Sequence, residues 1–329
     1  MIELPIKIPR IQTVPNFTNG LAILYSLNET VADAWVANNC ISITFQYYIE
    51  SNFAPYLHVL PPFTLIDCCL FDTYRYSLKS IYNLGELIED SLRDGFYIGT
   101  SIDVFYLPCH EATYHTFHMS HPILIYGIDF HTLKVADHFF TGEGSYSLAE
   151  TDMESFLEGI KSAHEIYTET NNLRDVYQIR MKEKYETYLF STKLVKSNLS
   201  QYLHSDATVM RNWPLVHPYL HHHFGYNALL ALYEYFKGET TEYHRVHVRL
   251  AHELYAHILI IALVARQVQQ DNLIILAESN VDRGLMLRNK LIKASLTKSF
   301  PKYDIEELLR EIIESDYEVC KKLHDSLKE

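Results

Sequence analysis

The chain has 329 residues, with 41 acidic and 28 basic side chains, so its formal net charge is −13 with histidine neutral. A hydrophobic content of 48% with only 11 glycines and 11 prolines excludes a disordered or fibrous protein and predicts a real core. The absence of basic runs argues against a broad nucleic-acid or anionic-membrane surface, because phosphate binding needs clustered Lys and Arg. The acidic excess leaves room for a cationic ligand.

The first ten residues, Met1 to Arg10, mix charged side chains with two prolines and do not resemble a signal peptide. The longest strongly apolar run, Ile258 to Ala265, is shorter than the ~20 residues that span a bilayer. Five cysteines form no regular framework and no CxxC pair, which fits a reducing compartment. We therefore expect a soluble, cytoplasmic protein.

Short segments of different period along the first half predict mixed helix and strand. In chain order they are a helix over NCISITFQYYIE from Asn39, a strand from Gly95 ended by Pro108, a hairpin of Pro122–Ile128 with Thr132–Ala136, and a helix opened by a capping box of Ser147 and Glu150.

A polar stretch, Thr168 to Asp175, predicts a linker, and the chain beyond it has helical period. The expected helices are Val176–Asn198, Tyr226–Phe236, Glu242–Gln269, Leu273–Lys298 and Ile305–Leu327. The pattern predicts an α+β catalytic domain over 1–167 followed by an α-helical domain over 168–329.

Cys40 is the first candidate for chemistry. It follows Asn38 and Asn39, which are good N-cap residues, so the predicted helix would place its thiol at the positive end of a helix dipole. That position favours the thiolate that a nucleophile needs. The alternative is a buried structural cysteine, since free cysteines are among the most buried residues.

His121 and Asp137 give Cys40 candidate partners. His121 precedes the strand PILIYGID, and Asp137 ends the next strand, LKVAD. The start of one strand and the end of its antiparallel neighbour lie at the same edge of a sheet. We expect Asp137 to orient the imidazole of His121, so that a facing thiol would complete a nucleophile, base and orienter.

This order of Cys, His and Asp resembles the papain-like superfamily, in particular the double-glycine leader peptidases and the family of the butirosin biosynthesis protein H N-terminal domain. The segments that carry the resemblance are NCISITFQYYIE, IDVFYLPCHEATYHTFHMSHPILIYGID and, loosely, FGYNALLALYEYF. It implies a papain-like cysteine protease fold. The chain departs from it in having His138 where many relatives carry Pro, and in lacking a Gln just before Cys40.

The resemblance implies an acyltransferase of secondary-metabolite or antibiotic biosynthesis, like an enzyme implied in closthioamide assembly. It would move an acyl chain from a carrier-protein thioester, through an acyl-enzyme on Cys40, to a small amine or polyamine and so form an amide bond. No cofactor is expected beyond the phosphopantetheine arm of an acyl or peptidyl carrier protein, and the helical half could dock that carrier or form a homodimer. The alternatives are a cysteine peptidase or amidase using the same residues, and a non-catalytic binding module.

Further residues are expected to support the site. Asn38 or Asn39, with the Cys40 amide, is the expected oxyanion donor, and His118 could replace His121 as the base. Asp103 and Tyr106 are candidates to line the cleft, with strand core as the alternative.

No metal is expected, because the histidine clusters match no standard zinc spacing. These clusters are His110, His115, His118 and His121, the triplet His221 to His223, and His252 with Glu253 and His257. The other thiols, Cys68, Cys69, Cys109 and Cys320, are expected to be structural.

Overall fold

The fold is taken from a computed structural model. It describes residues 1–48, 55–59, 69–139, 146–166, 175–206, 220–238 and 244–327. The described strands are β1 (Ile2–Glu3), β2 (Ile43–Tyr48), β3 (Tyr56–Val59), β4 (Phe71–Ser77), β5 (Tyr97–Asp103), β6 (Ser120–Asp129), β7 (Thr132–His138), β8 (Tyr146–Asp152), β9 (Asp175–Met181) and β10 (Leu220–Phe224). The described α-helices are α1 (Pro15–Leu27), α2 (Glu29–Asn39), α3 (Leu84–Arg93), α4 (Met153–Ile166), α5 (Thr192–Leu203), α6 (Gly225–Gly238), α7 (His244–Val268), α8 (Asp271–Thr297) and α9 (Lys302–Ser326).

The chain is a mixed α+β protein with a C-terminal helical region, as predicted. It divides into two compact units that interleave in sequence. The first unit comprises Met1–Ala32 with Phe63–Thr187, and the second comprises Asp33–Pro62 with Tyr188–Glu329. The division falls within α2.

The first unit is built on an antiparallel sheet in the order β4-β9-β5-β6-β7-β8, with β1 added to β6. Its core consists mainly of branched aliphatic side chains from β5, β6 and β7, with α3 and α4 packed against them. Helix α1 also packs against β6 and β7. The central strands β6 and β7 therefore hold fixed backbone positions for the polar side chains at their ends.

The second unit combines helices with a small sheet in the order β10-β2-β3. Helix α6 packs on β2, and α7 packs on β3 and runs alongside α8. The predicted helices over 226–236, 242–269, 273–298 and 305–327 correspond to α6 to α9. Their apolar stripes are long enough for the helical period to be unambiguous.

The predicted helix from Asn39 is wrong, because the helix lies before Cys40 and the strand β2 follows it. The side chain of Asn28 accepts from the amide of Val31 at 3.2 Å and caps the start of α2. The β-branched run after Cys40 favours a strand, which pairs with β10 and β3.

The predicted helix over 176–198 and the domain boundary at 167/168 also need correction. Residues 175–181 form β9, which pairs with β4 and β5 inside the first sheet, and α5 begins only at Thr192. The first unit therefore extends to Thr187. Most of the predicted linker, residues 168–174, lies outside the described residues.

The helix predicted after Ser147 begins later than expected. Residues 146–152 form β8, and Asp152 caps α4 by accepting from the amide of Ser155 at 2.7 Å. The capping box of Ser147 and Glu150 is therefore wrong. The predicted hairpin is present as β6 and β7, and the predicted strand from Gly95 is present as β5.

Within the described residues, one helical stretch, Val246–Val268 of α7, is long and apolar enough to cross a membrane. It is longer than the apolar run recognised in the sequence. In its most apolar window 72% of the residues are buried inside the protein, as is typical of the core helix of a soluble protein.

Candidate active site

His121 and Asp137 lie together at one edge of the first sheet, as the hairpin predicts. Nδ1 of His121 is 2.7 Å from Oδ2 of Asp137. Asp137 is fully buried, whereas His121 retains 12% of its side-chain exposure. The pair therefore has a buried carboxylate and an imidazole that solvent can reach.

The residue after Asp137 supplies a further hydrogen bond to the carboxylate. The backbone amide of His138 donates to Oδ1 of Asp137 at 2.6 Å. Proline has no amide hydrogen, so the His138 that departs from the papain-like pattern makes possible a contact that proline could not make. The Asp137 carboxylate is therefore held by a backbone amide as well as by imidazoles.

The charge state of Asp137 determines which ring nitrogen of neutral His121 carries the proton. Burial acts to raise the pKa of Asp137, but the charge of His121 and the hydrogen bonds from His110 and His121 outweigh it, and the pKa is lowered. The ionised carboxylate only accepts hydrogen bonds, so neutral His121 carries its proton on Nδ1. Nε2 is then the atom that can take a proton from a reacting group.

A second imidazole, that of His110, shares the same carboxylate and was not assigned to the site from the sequence. Its Nε2 is 3.2 Å from Oδ2 of Asp137, and its side chain is fully buried. Its ring lies against Phe139 at 4.8 Å between centroids. The only sequence signal was its membership of the histidine cluster, because it lies in a loop and no periodic pattern predicts its burial.

The group of His110, His121 and Asp137 could also ligate a metal ion, since one donor atom from each lies within 4.8 Å of the others. Donor atoms around a zinc ion, each at about 2.0–2.1 Å from the metal, are spaced about 3.3 Å apart. The 2.7 Å separation of His121 Nδ1 and Asp137 Oδ2 is that of a charge-assisted hydrogen bond. The geometry therefore fits a proton-transfer pair better than a metal centre.

His118, the alternative base, and Asp103, a candidate to line the cleft, form another imidazole–carboxylate pair. Nδ1 of His118 is 2.7 Å from Oδ2 of Asp103. Asp103 is fully buried and also binds Ser162 of α4, so it does not itself line an open cleft. Tyr106 is half-buried, and its ring centroid lies 6.2 Å from that of His118.

Cys40 does not have the electrostatic setting predicted for it. Its amide donates to the carbonyl of Val36 at 2.9 Å, so it lies at the C-terminal end of α2, and it is fully buried. The C-terminal end of a helix carries partial negative charge and disfavours a thiolate. Cys40 belongs to the second unit, whereas His121 and Asp137 belong to the first.

The side chains of Asn38 and Asn39 form hydrogen bonds that stabilise the second unit. The side chain of Asn38 donates to the carbonyl of Leu189 at 2.9 Å and accepts from the amide of Ser191 at 2.8 Å. The two hydrogens of the Asn39 amide point to the carbonyl of Trp35 and the hydroxyl of Tyr188. These contacts use both amide hydrogens of Asn39 and one of Asn38, and they do not support the predicted oxyanion role.

The remaining described thiols have different surroundings. Burial, reinforced by the charge of Asp137, raises the pKa of Cys109 to about 12. Cys320 is fully buried beside Asp316, and burial raises its pKa well above the usual range. Cys69 is exposed, and Cys68 lies outside the described residues.

Comparisons with known proteins add no assignment. No protein-family model matches the chain, and no curated protein sequence matches it significantly. The functional proposal therefore depends on the geometry of the site and on the sequence resemblance.

Proposed function

We propose that the protein is a cysteine-dependent acyltransferase of papain-like type, which forms an amide bond from a carrier-protein thioester and an amine. The observation that supports this is the 2.7 Å contact between Nδ1 of His121 and Oδ2 of Asp137, with 12% of the His121 side chain exposed. The ionised carboxylate favours the neutral tautomer of His121 that carries its proton on Nδ1. Such a pair performs general acid–base catalysis in acyl transfer. His121 is the proton-transfer residue, and Asp137 orients it.

The nucleophile in this proposal is Cys40, a choice that rests on the sequence resemblance. Cys109 lies in the same unit as His121, but a pKa of about 12 leaves almost no thiolate at neutral pH. Because the helix end does not activate Cys40, its deprotonation depends on a general base. The thiolate attacks the thioester carbonyl, the acyl chain passes to sulfur, and the carrier's thiol leaves.

The net charge and the sequence resemblance indicate the acceptor and the partners of the reaction. The net charge of −13 favours a cationic amine over an anionic acceptor. The acyl donor arrives on a phosphopantetheine arm, and the helical region provides the surface for a carrier protein or a second copy of the chain. Hydrolysis by the same residues is the competing outcome, and it differs only in the molecule that resolves the acyl-enzyme.

Intact-mass measurement tests the proposal. After incubation with an acyl thioester of N-acetylcysteamine, the wild-type protein is expected to gain one acyl group, and Cys40→Ala is expected to gain none. Cys109→Ala is the matched control and should acylate like the wild type. An adduct retained in Cys40→Ala and lost in Cys109→Ala would overturn the assignment of the nucleophile.

His121→Asn tests the base without removing the hydrogen bond to Asp137. The Asn amide can donate to the carboxylate where Nδ1 does, but nothing replaces Nε2. Acylation is expected to slow by about 100-fold, the lower range for a general base. Products then separate the outcomes: an amide in the presence of amines supports transfer, a free acid alone indicates a hydrolase, and no adduct with any thioester indicates a binding module.

A further inference from the structure

The first unit contains a second imidazole–carboxylate pair with the geometry of the first. Nδ1 of His118 lies 2.7 Å from Oδ2 of Asp103, the same separation as between His121 and Asp137. In both pairs the aspartate is fully buried, but His118 keeps 45% of its side chain exposed against 12% for His121. The more accessible of the two imidazoles has no part in the mechanism described above.

Asp103 is held as an ionised acceptor. Burial acts to raise its pKa, but hydrogen bonds from Ser162, His118 and the amides of Phe105 and Met119 outweigh it, and the pKa is lowered. Because the carboxylate can only accept, the neutral imidazole of His118 carries its proton on Nδ1. The lone pair of Nε2 is then free to accept a proton.

The hydrogen bond from His118 to Asp103 is not needed to anchor the segment between β5 and β6. The side chain of Asp103 already accepts from the amides of Phe105 and Met119, each at 3.1 Å, and from the hydroxyl of Ser162 at 2.7 Å. Those bonds fix the start and end of the segment between β5 and β6 without any imidazole. His118 adds a titratable group at a solvent-accessible position.

The ring of His118 is held in one plane. It stacks on Phe105 with 4.2 Å between centroids and 21° between planes. The same loop carries two further exposed aromatic side chains, Tyr114 and Phe117, with 37% and 49% of their surfaces accessible. Aromatic faces attract ammonium groups, so this surface suits a cationic amine.

The backbone register places the two pairs at the same end of the first sheet. Asp103 pairs with Ser120, and Ile102 pairs with His121, across β5 and β6. His118 precedes His121 by three residues, which separates their Cα atoms by at most about 10 Å in an extended chain. Both histidines thus lie near the same end of this sheet.

We propose that His118, oriented by Asp103, is the base that deprotonates the acceptor amine, an assignment that rests on the acyltransferase function proposed above. The acceptor enters as a primary ammonium and gives one proton to Nε2 of His118. The free amine forms the new C–N bond, and the C–S bond of the acyl-enzyme breaks with its electron pair on sulfur. The second proton lost by nitrogen passes to that sulfur through His121, and His118 releases its proton to water.

The substitution His118→Asn isolates proton transfer from positioning. An Asn amide can donate to Asp103 as Nδ1 does, but it has no counterpart of Nε2. The matched control is His115→Asn, because His115 is also exposed and also contacts Phe105, and its backbone φ of 50° is one that Asn adopts readily. Phe105 and Asp103 are unchanged in both variants.

The experiment follows the acyl-enzyme by intact mass, first as it forms from the N-acetylcysteamine thioester and then as it reacts with added primary diamine. We expect His118→Asn to acylate at the wild-type rate but to transfer to the diamine about 100-fold more slowly at pH 7. The defect should shrink towards pH 10, where a primary amine is increasingly neutral without a base. His115→Asn should match the wild type in both steps.

Wild-type transfer in His118→Asn, or an equal loss in His115→Asn, would overturn the inference alone. Imidazole ¹⁵N spectra provide a readout independent of turnover, and a neutral His118 with its proton on Nε2 would also overturn it. If the wild-type protein forms no acyl adduct, the proposed function fails first and the inference falls with it. The two failures are therefore distinguishable.

Discussion

Asp137 and Asp103 are buried carboxylates whose lost hydration is replaced by hydrogen bonds within the fold. Taking an ionised carboxylate out of water costs several kcal/mol unless hydrogen bonds replace the lost hydration. Each of these side chains receives backbone amide and imidazole contacts, and the pKa of each is lowered. The same bonds that stabilise the charge orient the histidines, so stability and acid–base function rest on the same contacts.

Glu253 of α7 is the opposite case. It is buried beside β3, and its carboxyl group accepts a hydrogen bond from the backbone amide of Val59. Its Oε2 has no hydrogen-bond partner among the described residues. Burial raises its pKa to about 8. The folded protein therefore keeps this side chain protonated at neutral pH, whereas the unfolded chain ionises it near its ordinary pKa.

The substitution Glu253→Gln is expected to stabilise the protein at neutral pH. Between pH 4.5 and about 8 the folded state binds the proton more tightly, so wild-type stability falls as pH rises through this window. The neutral Gln removes that dependence, with an upper bound of roughly 3 kcal/mol at pH 7 and no difference near pH 4.5. Urea unfolding from pH 4.5 to 8 measures the effect.

The control for Glu253 is an exposed glutamate on a neighbouring helix. Glu307→Gln on α9 should leave the urea midpoint unchanged at every pH, because its side chain is exposed. A Glu253→Gln variant less stable than the wild type at pH 7 would contradict the interpretation. It would mean that the protonated acid makes contacts that an amide cannot replace.

At the residue scale, sequence reasoning located the His121 and Asp137 pair because strand order alone places them at one sheet edge. It could not find His110, whose contact with Asp137 depends on the path of a loop. It misjudged Cys40 because Asn38 and Asn39 resemble helix caps. Their side chains instead form hydrogen bonds with residues that are distant in sequence and that only the fold brings near.

Helix α4 shows how one element positions the second imidazole–carboxylate pair. Gly159 lies where a Cβ atom would be 2.7 Å from Cγ1 of Ile102 and 2.9 Å from the carbonyl oxygen of Asp103. Ser162, one turn later, donates to Asp103. The helix approaches β5 this closely only because residue 159 has no side chain.

The substitution Gly159→Ala is expected to destabilise the protein by about 1–3 kcal/mol, although alanine is the better helix former by about 1 kcal/mol. Its methyl group must push α4 away from β5 and lengthen the bond between Ser162 and Asp103. Gly85→Ala in α3 is the control, since its nearest atom would be 3.6 Å away, an ordinary contact. Thermal unfolding compares the two, and equal midpoints would contradict this account of the packing.

At the element scale, the long helices were predictable and β9 was not. In β9 the apolar side chains Val176 and Ile179 are fully buried three residues apart, which is a helical spacing. Its partners β4 and β5 lie far away in sequence and decide the structure. Local periodicity cannot report pairing with distant strands.

At the scale of the whole molecule, the division into two units could not be predicted because residues 33–62 leave the first unit and join the second. The cause is sheet pairing, since β2 lies between β3 and a strand more than 170 residues later, β10. Asn38 extends this connection through its bonds to Leu189 and Ser191. A linear domain boundary cannot represent that arrangement.

The interleaved arrangement predicts that residues 168–329 do not fold as a unit on their own. Without 33–62 the helices lose the apolar side chains of β2 and β3, including Ile43, Phe45, Leu57 and Val59, all of them buried. At about 1.5–3 kcal/mol each, these four contribute roughly 6–12 kcal/mol, comparable with the 5–15 kcal/mol that stabilises a typical domain. A chain of residues 33–62 joined to 188–329 by a flexible linker should instead unfold cooperatively.

Circular dichroism and urea unfolding compare the two chains directly. The joined chain should give a single sigmoidal transition, and the 168–329 chain should give a gradual one or aggregate. Residues 33–62 in scrambled order, joined through the same linker, control for the effects of length and composition, since they cannot pair with β10 in the observed register. Cooperative unfolding of the 168–329 chain alone would show that the helices need no strand from the first sixty-two residues, and that the boundary expected from hydrophobic period was the physically relevant one.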